Sequence, residues 1–141
     1  MMLATCCCDW KCLKELNLDI SICQNSQIAQ QKNIEVSIES IINRYLNNPI
    51  TQAVVIGGLE PMLQFEEVFE FIKQFRQYTN DDIVIYTGYY PEEIKDKIEQ
   101  LKQYKNIIIK FGRYMPSRKK RFDEVLGVWL ASDNQFAVKV N

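Results

Sequence analysis

Residues 53–88 read AVVIGGLEPMLQFEEVFEFIKQFRQYTNDDIVIYTG, and this stretch predicts the fold of the chain. It begins and ends with a short apolar run, at residues 53–56 and 83–86, and each run is followed by glycine within two residues. Continuous apolar runs of this length are typical of parallel strands that are covered on both faces. Between the two runs, apolar residues recur at the spacing of one helix face, namely Phe65, Val68, Phe69, Ile72 and Phe75. A strand, a helix and a second strand in this order predict a right-handed βαβ unit.

The same pattern extends in both directions from this unit. Before it, residues 38–46 carry apolar side chains at helical spacing and are followed by the helix-stopping sequence Asn47-Asn48-Pro49. After it, Pro91 predicts the start of another helix, and the apolar run at residues 107–109 predicts a third strand. We therefore expect an α/β fold, a single small domain whose mostly parallel sheet is built as a partial TIM-barrel-like βα repeat.

The rest of the chain flanks these βα units. The stretch Ser117-Arg118-Lys119-Lys120-Arg121 is strongly basic, and we interpret it as a solvated loop. The expected domain covers residues 1–141 in three segments: a short first strand and a cofactor-binding loop at 1–33, the βα units at 34–112, and a C-terminal loop with short strands at 113–141.

The five cysteines are unevenly distributed along the chain. All of them lie in the first 23 residues, at positions 6, 7, 8, 12 and 23. An odd number of crowded cysteines fits disulfides poorly, whereas thiolates are preferred ligands of iron–sulfur clusters and zinc. Three interpretations remain open at this point, and one of them is that the thiols are inert or merely redox-active. Three cysteines would hold an iron–sulfur cluster with one open iron, or four of them, for instance Cys6, Cys8, Cys12 and Cys23, would close a structural zinc site.

Composition excludes several classes of function. The chain has no histidine, which removes Ser-His and Cys-His nucleophile pairs and an imidazole base, so an enzyme of this kind would depend on a cofactor. The 17 basic and 18 acidic residues nearly cancel, so the chain has no net positive charge that would attract nucleic acid or an anionic membrane surface. No apolar run approaches the roughly 20 residues of a membrane span, and no leader pattern is present, so we expect a cytoplasmic protein.

The predicted strands end in residues that suit a ligand site. Gly57 and Gly58 follow the first run, and Gly88 and Gly112 follow the next two. In a parallel sheet, ligands bind at the carboxyl ends of the strands. Glu60 places a carboxylate at the same edge, and a first strand at residues 1–4 would bring the cysteines to it.

Together these motifs resemble a known family. They are Cys8-x₃-Cys12, Cys23-Gln24-Asn25, Gly57-Gly58-Leu59-Glu60-Pro61, Tyr86-Thr87-Gly88-Tyr89, and Ser132-Asp133-Asn134-Gln135. In this order they are similar to the activating proteins of anaerobic ribonucleoside-triphosphate reductase, which are small radical S-adenosylmethionine enzymes. The resemblance covers nearly the whole chain.

The resemblance implies a cofactor set and a partner. Cys8, Cys12 and Cys23 would hold a [4Fe–4S] cluster whose open iron binds S-adenosylmethionine, and reductive cleavage of that cofactor would generate a glycyl radical on the partner reductase or a similar protein. A flavodoxin- or ferredoxin-type protein would donate the electron. The residues that would contact S-adenosylmethionine are Gly57, Gly58, Leu59, Glu60, Gln24, Tyr86 and Gly88.

The chain also departs from the family's C-x₃-C-x₂-C pattern. Glu15 occupies the position of the third cysteine, so we interpret residues 13–22 as an insertion and Cys23 as the third ligand. Cys6 is the alternative to Cys8, while Cys7 would point away from both in an extended segment. A radical enzyme that acts on another substrate and a zinc-stabilised binding module are the alternative functions.

Overall fold

The computed structural model describes all 141 residues, and its centre is a five-stranded sheet beside a two-stranded hairpin. The strands are β1 (Met2–Thr5), β2 (Ala53–Gly58), β3 (Asp82–Tyr86), β4 (Ile107–Phe111), β5 (Arg121–Asp123), β6 (Val128–Leu130) and β7 (Phe136–Lys139). The α-helices are α1 (Lys11–Leu16), α2 (Ser26–Ala29), α3 (Ile38–Leu46), α4 (Phe65–Phe75) and α5 (Lys95–Leu101).

The sheet has the strand order β1-β2-β3-β4-β7. The first four strands run parallel, and β7 pairs antiparallel with β4. A barrel closes only when its last strand pairs with its first. Here β1 and β7 are free edges, so the mixed α/β domain with a mostly parallel sheet is confirmed, whereas the expected TIM-barrel-like arrangement is not shown and no closed barrel forms.

One face of the sheet carries the main core. Helices α3 and α4 pack their apolar sides against it, and α3 begins where Ser37 Oγ accepts a hydrogen bond from Ser40 N at 3.2 Å. On α4 the predicted core residue Phe69 is only partly buried, and Phe71 is buried as well, because the apolar face of this helix is wider than the predicted row. The side chains at the centre of this core are Val54, Ile72, Phe75, Ile83, Ile85, Leu101, Ile107 and Ile109.

The opposite face of the sheet is covered differently from what the apolar runs predict. Its core consists of Val84, Ile108 and Ala137, against which Leu126 packs from the hairpin turn. The hairpin therefore covers this face instead of a layer of helices. Residues 117–120 form an exposed loop, as expected for the basic stretch, and only its last residue, Arg121, belongs to β5, where it pairs with Leu130 on β6.

The segments between the strands contain several short turns. A 3-10 turn at Ile20–Ile22 and α2 follow α1, so the segment that we expected to be a cofactor-binding loop contains three short helical pieces. Pro91 opens a 3-10 turn at Pro91–Glu93, and α5 begins only at Lys95 because Ile94 leaves the helical region with φ −133°.

No helix has the length and apolar character needed to cross a membrane.

Candidate functional site

The cysteine segment is attached to the carboxyl edge of the sheet. As β1 ends, Thr5 Oγ1 donates to the carbonyl of Gly57 at 2.9 Å. The amide of Cys6 donates to Gln64 Oε1 at 2.7 Å, and the amide of Glu60 donates to the carbonyl of Cys7 at 2.7 Å. The cysteines therefore lie directly beside the Gly-Gly-Leu-Glu turn, as the predicted first strand requires.

A small cavity lies at this edge of the sheet. Its volume is about 30 Å³, which is the space of about one water molecule. A cluster together with an organic ligand needs far more room, so binding them would require the segment of the chain around the cysteines to move outward. The cavity is lined by Cys8, Asp9, Lys11, Cys12, Glu60, Gly88, Tyr89 and Arg113.

Glu60 joins the ends of β2 and β3. Its Oε1 accepts from Thr87 Oγ1 at 2.7 Å and from the amide of Met62 at 3.0 Å, and its Oε2 accepts from the amide of Gly88 at 2.8 Å. Burial raises the pKa of Glu60, and the three hydrogen bonds oppose that shift. The Glu60 carboxylate is thus hydrogen-bonded to other groups of the protein, and these bonds hold the turn that contains Glu60 in place.

Two glycines at this edge are required by backbone geometry. Gly58 has φ +84°, and a Cβ built on it would come within 2.9 Å of the Ala4 Cβ. Gly112 has φ +99°, and its Cβ would lie 3.0 Å from the Asn134 carbonyl oxygen. Both positions favour glycine for its access to positive φ. At Gly58 the space that a side chain would need is filled by Ala4 of β1, so glycine at this position lets β1 and β2 pack closely.

The charge of Cys12 acts on Cys8, and the charge of Cys23 acts on Cys12. Burial raises the pKa of Cys8 to about 11, and the charge of Cys12 adds to that shift. Burial also raises the pKa of Cys12, with the charge of Cys23 as the next contribution. Crowded, half-buried thiolates repel one another, and a bound cation removes that penalty. Cys23 reaches this group because the 3-10 turn at Ile20–Ile22 ends on it.

Cys6 and Cys7 form a separate pair. Their sulfur atoms are 3.3 Å apart, Cys7 is exposed, and neither residue lines the cavity. The Cys6 contact raises the pKa of Cys7, and Glu67 on α4 contributes to the same shift. These two thiols therefore face a different environment from that of Cys8 and Cys12.

The thiols fit an iron–sulfur cluster by donor type. No group of three cysteine or acidic side chains is placed to hold a metal ion, so Cys8, Cys12 and Cys23 would have to come closer together to bind one. Four-coordinate zinc needs all its sulfur ligands at about 2.3 Å from one point, whereas in a four-iron cluster each cysteine binds a different iron.

A charged network beside the cavity was not anticipated from the sequence. Arg113 donates to both carboxylate oxygens of Glu93, at 2.7 and 2.9 Å, and its Nε lies 2.8 Å from Glu15 Oε2. Lys11 forms an ion pair with the same Glu93. Because Lys11 and Glu15 belong to α1, the network ties the cysteine loop to the ends of β3 and β4. The available signal was the position of Arg113 directly after Gly112 at a strand end.

The Ser132-Asp133-Asn134-Gln135 motif supports this network from the C-terminal side. The Asn134 side chain donates to the carbonyl of Arg113 at 2.7 Å, and the Gln135 side chain donates to the carbonyl of Gly112 at 3.2 Å. The motif therefore holds the loop that follows β4 and does not line the cavity itself.

The structure brings together only part of the predicted ligand-binding set. Glu60 and Gly88 line the cavity with Cys8 and Cys12. Gln24 is exposed on the loop after Cys23, and Tyr86 is partly buried on the sheet face that the hairpin covers. Three further residues that were predicted to contact the ligand also do not line the cavity, namely Gly57, Gly58 and Leu59.

Comparison with known proteins gives one match. A family model described as a 4Fe-4S single cluster domain matches residues 2–137, which is nearly the whole chain. No curated protein and no solved structure matches the chain.

Proposed function

Since this chain belongs to the family of 4Fe-4S single cluster domains, we propose that it is a radical S-adenosylmethionine enzyme that generates a glycyl radical on a partner protein. When bound, the cluster would supply one electron to cleave the sulfonium carbon–sulfur bond, releasing methionine and a 5′-deoxyadenosyl radical that takes a hydrogen atom from a partner glycine. The proposed partner is an anaerobic ribonucleoside-triphosphate reductase or a similar glycyl-radical protein.

One observation carries this proposal. Two cysteines, Cys8 and Cys12, line the same cavity as Glu60 and Gly88, which belong to the two motifs at the ends of β2 and β3. A ligand that binds an open iron there would lie against the carboxyl edge of the sheet, where ligands of parallel sheets bind.

The residues of the chain would divide the work in the following way. Cys8, Cys12 and Cys23 would hold the cluster. The backbone of the Gly57-Gly58-Leu59 turn would contact the ligand, and Glu60 would keep that turn rigid through its bonds to the end of β3. Gln24 and Tyr86 complete the proposed contacts, which requires the segment after Cys23 to close over the bound ligand.

The architecture supports the remaining parts of the proposal. Consecutive parallel strands in the order β1-β2-β3-β4, with α3 and α4 on one face, have the sequence of elements found in a partial barrel. A large partner would supply the surface that surrounds the substrate. A flavodoxin- or ferredoxin-type donor in the cytoplasm would provide the electron.

Anaerobic reconstitution with iron and sulfide tests the proposal. We expect a brown protein with about four irons per chain that forms 5′-deoxyadenosine from S-adenosylmethionine when it is reduced. Cys12→Ala should lose most of the iron and nearly all of the product. Cys7→Ala is the matched control, because the Cys7 side chain is exposed and lies outside the cavity, and it should retain both.

Three results would count against the proposal. A colourless protein with one zinc would replace it with a metal-stabilised module. A four-iron protein that leaves S-adenosylmethionine intact would refute the radical chemistry. Product formation without a glycyl radical on the added reductase, measured by electron paramagnetic resonance, would indicate that the substrate is a different molecule.

A further inference from the structure

The sulfur atoms of Cys6 and Cys7 lie 3.3 Å apart, although the two residues are neighbours in the sequence. In an extended strand, consecutive side chains point to opposite faces, which would keep the two thiols apart. Strand β1 has ended at Thr5, so the alternation of a strand no longer applies where the two cysteines occur. The result is a pair of free thiols that lie side by side.

Hydrogen bonds hold the backbone on both sides of this pair. The amide of Cys6 donates to Gln64 Oε1 at 2.7 Å, and the carbonyl of Cys7 accepts from the amide of Glu60 at 2.7 Å. The backbone that carries the two thiols is therefore anchored to the edge of the sheet. Because this part of the chain is already ordered, joining the two sulfur atoms costs little further conformational entropy.

The pair is accessible and lies outside the cavity. Cys7 is exposed and Cys6 is half-buried, and neither residue lines the cavity that contains Cys8 and Cys12. A solvent-accessible thiol beside a second thiol that can resolve it is the arrangement of redox-sensing cysteine pairs. The proposed cluster uses neither of these two thiols, so they are free to react with another molecule.

We propose that Cys6 and Cys7 form a reversible vicinal disulfide, a modification site that exchanges with low-molecular-weight disulfides such as glutathione disulfide. One thiolate of the pair attacks a sulfur of the small disulfide, which gives a mixed disulfide and releases one small thiolate. The other thiolate of the pair then attacks the protein sulfur of the mixed disulfide and releases the second small thiolate. The two cysteines are oxidised, the small disulfide is reduced to two thiols, and these take up the two protons that the cysteines lose.

The bridge is expected to open as readily as it forms. Closing it moves the sulfur atoms from 3.3 Å to the disulfide bond length of about 2.05 Å, which is a short movement. Adjacent Cα atoms are about 3.8 Å apart, whereas disulfides usually join Cα atoms about 4.4–6.8 Å apart. Such a departure makes a disulfide more reducible, and easily reduced disulfides are the ones that serve regulation.

Anaerobic titration of the reconstituted protein with glutathione disulfide tests the proposal. We expect the chain to lose the mass of two hydrogen atoms while it retains its iron. After denaturation and alkylation, tandem mass spectrometry should find Cys6 and Cys7 unlabelled and Cys8 labelled. Excess reduced glutathione should restore both thiols. Cys7→Ser should lose the bridge, whereas Cys12→Ala, which removes a proposed cluster ligand and keeps the pair, should still form it.

Each outcome decides the proposal. Full labelling of Cys6 and Cys7 overturns it, and so does a mixed disulfide with glutathione that persists on Cys7, because the second thiol would then not reach the first. A bridge that includes Cys8 also overturns it. If Cys7→Ser does not fold, Cys6→Ser provides the same measurement. A protein that forms the bridge but holds no cluster, or leaves S-adenosylmethionine intact, refutes the proposed function and supports the disulfide.

Discussion

Glu60 and Glu93 are two carboxylates at the same edge of the sheet that have opposite pKa shifts. Burial raises the pKa of Glu60, whereas the hydrogen bonds from Arg113 lower the pKa of Glu93 to about 2, with Lys11 contributing to the same shift. The difference follows from their partners, since Glu60 receives neutral donors and Glu93 receives two cations. Glu93 is therefore the residue whose ionisation connects pH to stability at this site.

Replacement of Glu93 by glutamine tests this connection. The pKa of Glu93 in the folded protein is lowered from its ordinary value of 4.5, so its contribution is complete above about pH 4.5 and is lost as the pH falls toward about 2. At pH 7 we expect Glu93→Gln to reduce the free energy of unfolding by about 1.5–3 kcal/mol, the range for hydrogen bonds to charged groups. Urea unfolding followed by circular dichroism at several pH values measures the difference.

The control for this experiment is Glu92→Gln, because the neighbouring Glu92 is exposed and has no ion pair. That variant should follow the unaltered protein at every pH. If the difference between Glu93→Gln and the unaltered protein persists undiminished at pH 2, the ion pair with Arg113 does not account for the stabilisation.

Among the elements, α3 depends on its amino-terminal cap. The helix has nine residues, a length at which isolated helices are unstable, so it is held by packing and by its ends. Ser37 Oγ accepts from the amide of Ser40, and Glu39 lies in the first turn, where the helix dipole favours an acidic side chain.

Substitution of the cap should weaken this helix by a predictable amount. Ser37→Ala is expected to lower the free energy of unfolding by about 0.5–2 kcal/mol, because the amide of Ser40 then loses its only side-chain acceptor. Ser40→Ala keeps that amide and its acceptor, and should change stability by less than about 0.5 kcal/mol. Equal effects of the two substitutions in chemical denaturation would contradict the role of Ser37 as the cap.

At the scale of the whole molecule, the cysteine segment contributes little to the core. Among the first 33 residues only Leu13 is a buried apolar side chain, while the main core is built from residues 42–111. Local stability follows the density of buried apolar contacts. Apart from β1, whose Leu3 packs against the main core, the segment that carries the proposed cluster ligands therefore adds only Leu13 to the buried apolar side chains.

Removal of the cluster should loosen this segment alone. We expect limited proteolysis of the iron-free protein to cut within residues 13–33 and to leave a stable fragment that begins near α3. Loading with the cluster should slow those cuts at least tenfold, because a ligand bound only by the ordered segment stabilises it through mass action. Mass spectrometry of the fragments identifies the sites, and the circular dichroism of the iron-free protein should remain that of a folded α/β domain. Rapid degradation of the entire iron-free chain would contradict this division.

Much of the fold was accessible from the sequence because its signals are local. The helix at 38–46 and the strands that begin at Ala53, Asp82 and Ile107 follow from apolar periodicity and from stop residues within each segment. Strand β5 was missed because it is three residues long and its one buried side chain is Asp123, which accepts from the amides of Leu126 and Ala137. A buried aspartate directly after a basic stretch carries no local signature of a strand.

The sequence by itself determined that this is an α/β chain whose thiol donors are confined to the start, because residue type and periodicity are properties of each segment alone. Only the tertiary structure decided which residues share the cavity, since this depends on contacts between distant parts of the chain. It joined Arg113 to Glu93 and buried Lys110, whose Nζ donates to the carbonyl of Gly112. It also separated the pair Cys6 and Cys7 from Cys8 and Cys12, because the direction of each thiol depends on how the segment packs against β2.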